Sequence, residues 1–311
     1  MKNIWLIGPG NIGLDYVKVL QSMSIDHILT VIGRSNKPDF PIPVYSKGLK
    51  SYIDKNPNIP EYAIVAVNEN QLYSTTKQLI QFGVKNILIE KPASININDL
   101  NILIKSSLLK NTNLYVGYNR RFYQSVQTCK RMINESKGPI SINFDFTEWI
   151  HTIDFNHYTK DELQHFFLCN SSHILDTVFY LAGKPSKINC LTNGKLKWHP
   201  SAAVFVGSGV TDKNILFSYS SNWLSAGRWG IEISLPNKKL ILRPIEKLFV
   251  QQKGSLSLEE ITLDNIDENF KPGLYNEVKS FLGNRENLCT LNEQLKNFKY
   301  FYKIANYDSK A

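Results

Sequence analysis

The first 120 residues alternate short, continuous apolar runs with helical patterning. Residues 3–7, 28–32, 63–67, 86–89 and 114–117 are apolar, β-prone runs of strand length. A shorter one, 44–45, follows a connection rich in proline (Pro38, Pro41, Pro43). Between them, residues 14–22 carry Leu14, Val17 and Leu20 on one helical face. Residues 71–82 read as a helix stopped by Gly83, and 98–110 as another. Unbroken apolar strands interleaved with helices predict a doubly wound parallel sheet, buried on both faces.

From residue 121 the pattern changes. Residues 122–137 read as a helical linker stopped by Gly138-Pro139. Ile140, Ile142, Phe144 and Phe146 then alternate with Ser141, Asn143 and Asp145, the period of a half-buried strand. Residues 161–181 are mostly helical, ending at Gly183 and Pro185. Strand-like runs follow at 187–191, 202–210, 215–221, 231–235 and 239–242, with Pro236-Asn237 as a turn and 274–282 and 291–307 as closing helices. The chain of 311 residues suits two domains at ~150 residues each. We expect a dinucleotide-type Rossmann domain over 1–120. Over 121–311 we expect an α/β domain with a large, open, mostly antiparallel sheet. An open sheet face commonly serves as an oligomer surface, so a homodimer or homotetramer is expected through it. No repeat, low-complexity tract or disordered tail is expected.

The first strand-like run leads through Gly8-Pro9-Gly10-Asn11-Ile12-Gly13 into a helix. In that setting G-x-G-x-x-G is a dinucleotide fingerprint. Gly8 permits the tight turn, Gly10 lets the backbone approach a pyrophosphate, and Gly13 lets helix and strand pack closely. Asn11 and Ile12 open the helix, whose positive N-terminus suits phosphate. The second run ends in Gly33-Arg34-Ser35, about 20 residues beyond the glycines, where an NAD site places an acid for the ribose 2′-hydroxyl. No acid stands there. The Arg34 guanidinium offers a fork of donors to a 2′-phosphate, Ser35 adds a hydroxyl and Lys37 a charge. NADP(H) is therefore expected in preference to NAD(H). Ligands of such sheets bind beyond the carboxyl ends of the strands. Asn68, Glu90, Lys91, Pro92, Tyr118, Asn119 and Arg120 are accordingly expected along the same crevice.

Composition narrows the classes. Lys+Arg 36 against Asp+Glu 27 gives +9, but the basic residues are scattered, which argues against nucleic acid and fits an anionic cofactor. The four cysteines (Cys129, Cys169, Cys190, Cys289) form neither a disulfide framework nor a metal site. With no charged-then-apolar leader before the first strand and no run of ~20 apolar residues, we expect a cytoplasmic protein without a membrane span.

Glu90-Lys91-Pro92 follows the fifth strand-like run, and Gly117-Tyr118-Asn119-Arg120-Arg121-Phe122 follows the next. Ser171-Ser172-His173-Ile174-Leu175-Asp176 precedes Tyr180-Leu181-Ala182-Gly183. With the glycine motif, these stretches resemble the Gfo/Idh/MocA family of NAD(P)-dependent oxidoreductases over essentially the whole chain. The resemblance implies hydride exchange with a hydroxyl or ketone of a sugar, cyclitol or nucleotide sugar. Some relatives work in bacterial surface-sugar synthesis. It makes Lys91 the catalytic or substrate-orienting lysine, with Pro92 fixing its loop, often through a cis peptide. His173 is the active-site histidine, which takes or gives the hydroxyl proton or orients the substrate. Many members carry an Asp four residues before that histidine; here the position is Cys169, a poor substitute for a carboxylate base. Proton transfer then rests on Lys91 with His173, or with Tyr118. Cys169, Asn170 and Asp176 stand on the substrate side, Asp176 also supporting its helix. Of Arg120 and Arg121, one can bind an anionic substrate group while the other pairs with an acid. Two other classes stay open: a redox-neutral epimerase, lyase or glycosidase holding its cofactor, and a cofactor-binding regulator.

Overall fold

The computed structural model describes residues 1–307, in two compact units. The expectation of an ordered tail falls, for residues 308–311, outside the described residues. The first unit comprises residues 1–119 and 269–296, the second 120–268 and the described residues from 297 on.

In the first unit, β1 (Lys2–Ile7), β2 (His27–Ile32), β3 (Val44–Tyr45), β4 (Tyr62–Val65), β5 (Asn86–Glu90) and β6 (Asn113–Gly117) form a parallel sheet. Its order is β6-β5-β4-β1-β2-β3, with the direction of winding reversing between β1 and β4. Ile4, Leu6, Ile64, Val65, Leu88 and Ile89 are buried on both faces of it, as their unbroken apolar runs require. The connecting helices are α1 (Asn11–Ser22), α2 (Gly48–Ile53), α3 (Glu69–Phe82) and α4 (Ile97–Lys110). Gly83 closes α3 at φ +104°, a left-handed cap that glycine adopts without strain.

In the second unit, α5 (Gln124–Glu135) precedes β7 (Ser141–Asp145). The residues read as one long helix fall into α6 (Lys160–Gln164), a π-helical turn (Phe167–Ser171) and α7 (Ser172–Ala182). The capping box of Thr159 and Glu162 starts α6, and His165, at φ −108° and ψ 22°, ends it ahead of the π-helical turn. The sheet adds β8 (Pro185–Asn193), β9 (Val204–Thr211), β10 (Leu216–Asn222), β11 (Gly230–Ser234), β12 (Lys238–Leu242), β13 (Phe249–Gln252) and β14 (Glu259–Glu260). Its order is β14-β13-β12-β11-β7-β10-β9-β8, antiparallel except where β7 and β10 run together. One face carries Ile142, Phe144, Phe217, Ile231 and Ile233 into the core. Leu191 and Val206, cross-strand partners, are exposed on β8 and β9.

After α8 (Ile266–Asn269), α9 (Leu274–Leu282) and β15 (Cys289–Thr290) return to the first unit, where β15 pairs antiparallel with β6. The last helix is α10 (Leu291–Ala305).

Candidate functional site

In the first unit, a cavity of about 700 Å³ opens at the carboxyl ends of β1, β2 and β4. Gly8, Gly10, Arg34, Ser35, Lys37 and Asn68 all line it. Gly8 holds φ +111°, and a Cβ there would lie 2.2 Å from the Ala66 carbonyl oxygen. A Cβ on Gly13 would lie 2.0 Å from the Gly8 oxygen, so Gly13 serves the packing of α1 on the turn and does not line the cavity. A Cβ on Gly10 would meet nothing within 4 Å, which leaves that backbone open to a ligand. The first turn of α1 carries no acid and no side-chain cap, so its N–H groups remain donors for an anion. These features fit a dinucleotide. Asn11, Ile12, Glu90, Lys91 and Pro92, which the sequence sets along the same crevice, do not line this cavity.

Glu90 instead accepts from the Tyr16 hydroxyl at 2.8 Å, and its carboxyl is raised above the usual carboxylate range by burial, the Lys91 charge opposing. Lys91 lies 3.6 Å from Glu69 at the start of α3, rather than being held by its neighbour Glu90 alone. The Lys91–Pro92 peptide is cis. Buried Gln294 donates to the Pro92 carbonyl at 3.1 Å and to the Tyr118 hydroxyl at 3.0 Å. Tyr118 is 1% exposed, and this bond ties its hydroxyl to the same glutamine that holds the Lys91–Pro92 turn. Glu69 and Gln294 went unread in the sequence because one is a plain helix-start acid and the other lies about 200 residues from its partner.

In the second unit, α7 places His173 in its first turn, where Nε2 lies 2.9 Å from Nη1 of Arg120. The Trp229 ring packs against both: its centroid is 6.1 Å from that of His173, 5.3 Å from the Arg120 guanidinium and 4.5 Å from that of Arg228. Arg121 and Asp176, both assigned toward substrate from the sequence, are bound to each other. Arg121 Nε and Nη2 donate to the two Asp176 oxygens at 2.7 and 2.6 Å, and both side chains are buried. A bidentate pair with both carboxylate oxygens engaged has no donor fork left for a ligand. Cys169 is likewise buried, its Sγ 3.9 Å from the Glu162 carbonyl.

The π-helical turn aims Asn170 and Ser171 at Glu148, which no sequence pattern singles out beyond its being an acid among aromatics. Ser171 Oγ donates to Oε1 at 2.6 Å and Asn170 Nδ2 to Oε2 at 2.8 Å, with Arg228 at 3.5 Å. Glu148 is 3% exposed, and burial pushes its carboxyl up to about 7 against the pull of Ser171 and Arg228. It lines a cavity of about 230 Å³ with Trp149, Asp154, His157, Asn170 and Arg228. A buried carboxyl that titrates near neutrality beside an open polar cavity is suited to proton exchange with a bound hydroxyl. Trp149 is half-exposed with Arg228 over its ring at 4.7 Å, whereas Trp223 belongs to the core. Among the described residues, no group of three or more His, Cys, Asp or Glu is arranged to hold a metal, and no helix is long and apolar enough to cross a membrane.

Residues 2–118 match the family model GFO_IDH_MocA, an oxidoreductase family with an NAD-binding Rossmann fold. No curated protein matches the chain. Among solved structures, the dehydrogenase MviM from Clostridium difficile is 20% identical, with 98% of this chain and 99% of that one covered and a TM-score of 0.76. UDP-N-acetylglucosamine 3-dehydrogenase GnnA from Acidithiobacillus ferrooxidans is 12% identical over 98% and 96% of the two chains, TM-score 0.75. An inositol dehydrogenase homolog from Azotobacter vinelandii, solved with NADH and myo-inositol, is 11% identical over 99% and 96%, TM-score 0.76. At these identities the likeness establishes the shared fold.

Proposed function

We propose, from the match of residues 2–118 to the Gfo/Idh/MocA oxidoreductase model, that the chain is an NADP(H)-dependent enzyme of that family. It moves hydride between the nicotinamide and a hydroxyl- or ketone-bearing carbon of a sugar or nucleotide sugar. The carrying observation is the dinucleotide cavity, in which Arg34 takes the place of an acid at the end of β2. The substrate class rests on the sugar and cyclitol dehydrogenases among its structural neighbours.

When bound, the dinucleotide supplies the hydride acceptor or donor. Gly8, Gly10, Asn68 and the α1 N-terminus would hold its phosphates, and Arg34 with Ser35 would hold the 2′-phosphate. Lys91, oriented by Glu69, donates to the substrate oxygen and stabilises charge there as the C–H bond breaks. His173 offers Nε2 as the acceptor of the hydroxyl proton, a position Arg120 fills and yields to substrate. Trp149 and Trp229 offer ring faces to a sugar, and Glu148 with Asn170 offers hydroxyl partners. The exposed strands β8 and β9 support a homo-oligomer, and the four free cysteines suit the reducing cytoplasm.

Purified protein incubated with NADP⁺ or NADPH and a panel of sugars and nucleotide sugars tests this reading. Stoichiometric change in nicotinamide absorbance with one sugar, matched by mass spectrometry of the product, is the expected outcome. A changed sugar with no net cofactor change would instead assign a redox-neutral reaction.

A further inference from the structure

The cofactor cavity has a lopsided rim. Besides Arg34 and Lys37, it is lined by Lys47 and Lys50, and no carboxylate lines it. Among the described residues, none of these four cations forms an ion pair with an acid, although the protein pairs many of its other cations. Four like charges around one opening repel one another unless an anion enters.

Their convergence is set by backbone. The Gly33 N–H donates to the Tyr45 carbonyl, and the Gly48 N–H donates to the Gly33 carbonyl, both at 2.8 Å. These two bonds tie the turn after β2, which bears Arg34, to the turn after β3, which bears Lys47 and opens α2. Gly48 takes φ +82°, and a Cβ built on it would sit 3.8 Å from the Arg34 side chain. The turn therefore brings Arg34 and Lys47 to one rim, and the first turn of α2 adds Lys50.

We propose that Lys47 and Lys50 complete, with Arg34, the seat of the cofactor's 2′-phosphate, and so set the preference for NADPH over NADH. This rests on the NADP(H) reading above. The guanidinium supplies the directional fork, and the two ammonium groups supply compact charge for a group that carries close to two negative charges at neutral pH. Both lysines are solvent-exposed, so their replacement is expected to leave the unit folded.

The test is equilibrium titration of the intact protein with NADPH, NADH and 2′,5′-ADP, followed by fluorescence, with circular dichroism as the check on folding. The variants are Lys47→Ala, Lys50→Ala and the pair. Each single change is expected to weaken NADPH and 2′,5′-ADP by on the order of tenfold, and to leave NADH within about twofold. The dependence of NADPH affinity on salt should flatten in the double variant. If the parent protein prefers NADPH and the lysine variants keep that preference, the seat is wrong while the cofactor reading stands. If the parent binds NADH better than NADPH, or binds neither, the cofactor reading fails and the seat fails with it.

Discussion

The Arg120 guanidinium donates from Nη1 to Nε2 of His173 across 2.9 Å. Arginine has no acceptor and keeps its charge, so Nε2 must be the lone-pair nitrogen and the ring proton sits on Nδ1. The imidazole is thus held neutral and ready to accept. Nitrogen-15 NMR of histidine-labelled protein should show a pyridine-type Nε2 for His173 at pH 7, and this signature should be lost or averaged in Arg120→Ala. Under the proposed mechanism the same variant loses at least tenfold in turnover, within the span that general acid–base groups contribute. A protonated or Nε2–H imidazole in the parent protein would refute the arrangement.

Gly10 and Gly13 make a matched pair of probes. A methyl at Gly10 meets nothing within 4 Å, so Gly10→Ala should alter stability by no more than about 1 kcal/mol, chiefly through the poorer helix cap. It places a carbon at the open backbone and should weaken NADPH binding by tenfold or more. Gly13→Ala drives a methyl to 2.0 Å from the Gly8 oxygen and should destabilise the unit by several kcal/mol. Thermal melts with and without NADPH separate the two effects.

Under the proposed mechanism Glu69 is a positioning residue for Lys91, 3.6 Å away with both side chains largely enclosed. Lys91→Ala should cut turnover by about 10²-fold or more while NADPH binding persists. Glu69→Gln keeps the shape and removes the charge, and should lower kcat with little change in KM. Partial recovery in Glu69→Asp would mark a charge that orients the ammonium. Equal loss in all three variants, with misfolding, would mark a structural role.

Much of this architecture is legible from pattern alone. The unbroken runs 63–67 and 86–89 announce a parallel sheet, and the Gly8–Gly13 spacing announces its ligand edge. What stays hidden is pairing. Nothing local says that Arg121 is tied to Asp176 while its neighbour Arg120 meets His173, since adjacent residues in the short 3₁₀ turn 119–122 point different ways. Glu148 is equally silent, because its character comes from burial against Asn170 and Ser171, some twenty residues on. The pair β15–β6 is too short to leave a period in the sequence.

The Arg121–Asp176 pair yields a sharp stability prediction. Both groups are buried and bidentate. Asp176→Asn strands a buried guanidinium and should cost about 3–5 kcal/mol in urea denaturation. Replacing both by apolar residues of similar volume (Arg121→Met with Asp176→Leu) should recover most of that loss. If the double variant is as unstable as the single, the pair also orders α7 through contacts that charge removal alone does not reveal.

Glu148 makes stability depend on pH in a direction opposite to that of most carboxylates. Burial raises its folded value to about 7, against an ordinary value near 4.5. Between those limits the folded state holds a proton that the unfolded chain has lost, so ∂ΔG/∂pH for this group is negative. Its contribution is fully present below pH 4.5 and is lost as pH rises through about 7. The interval between those two values sets an upper bound of about 3 kcal/mol on the swing. Glu148→Gln keeps the shape and removes the titration, while every other group titrates alike in both proteins. The parent-minus-variant difference in unfolding free energy should therefore fall by about 2–3 kcal/mol between pH 5 and pH 8. Denaturant melts at those two pH values measure it. A difference that stays flat would mean that Glu148 is ionised throughout, held by Arg228, Asn170 and Ser171 as a fixed acceptor, and its place in proton exchange would then be lost.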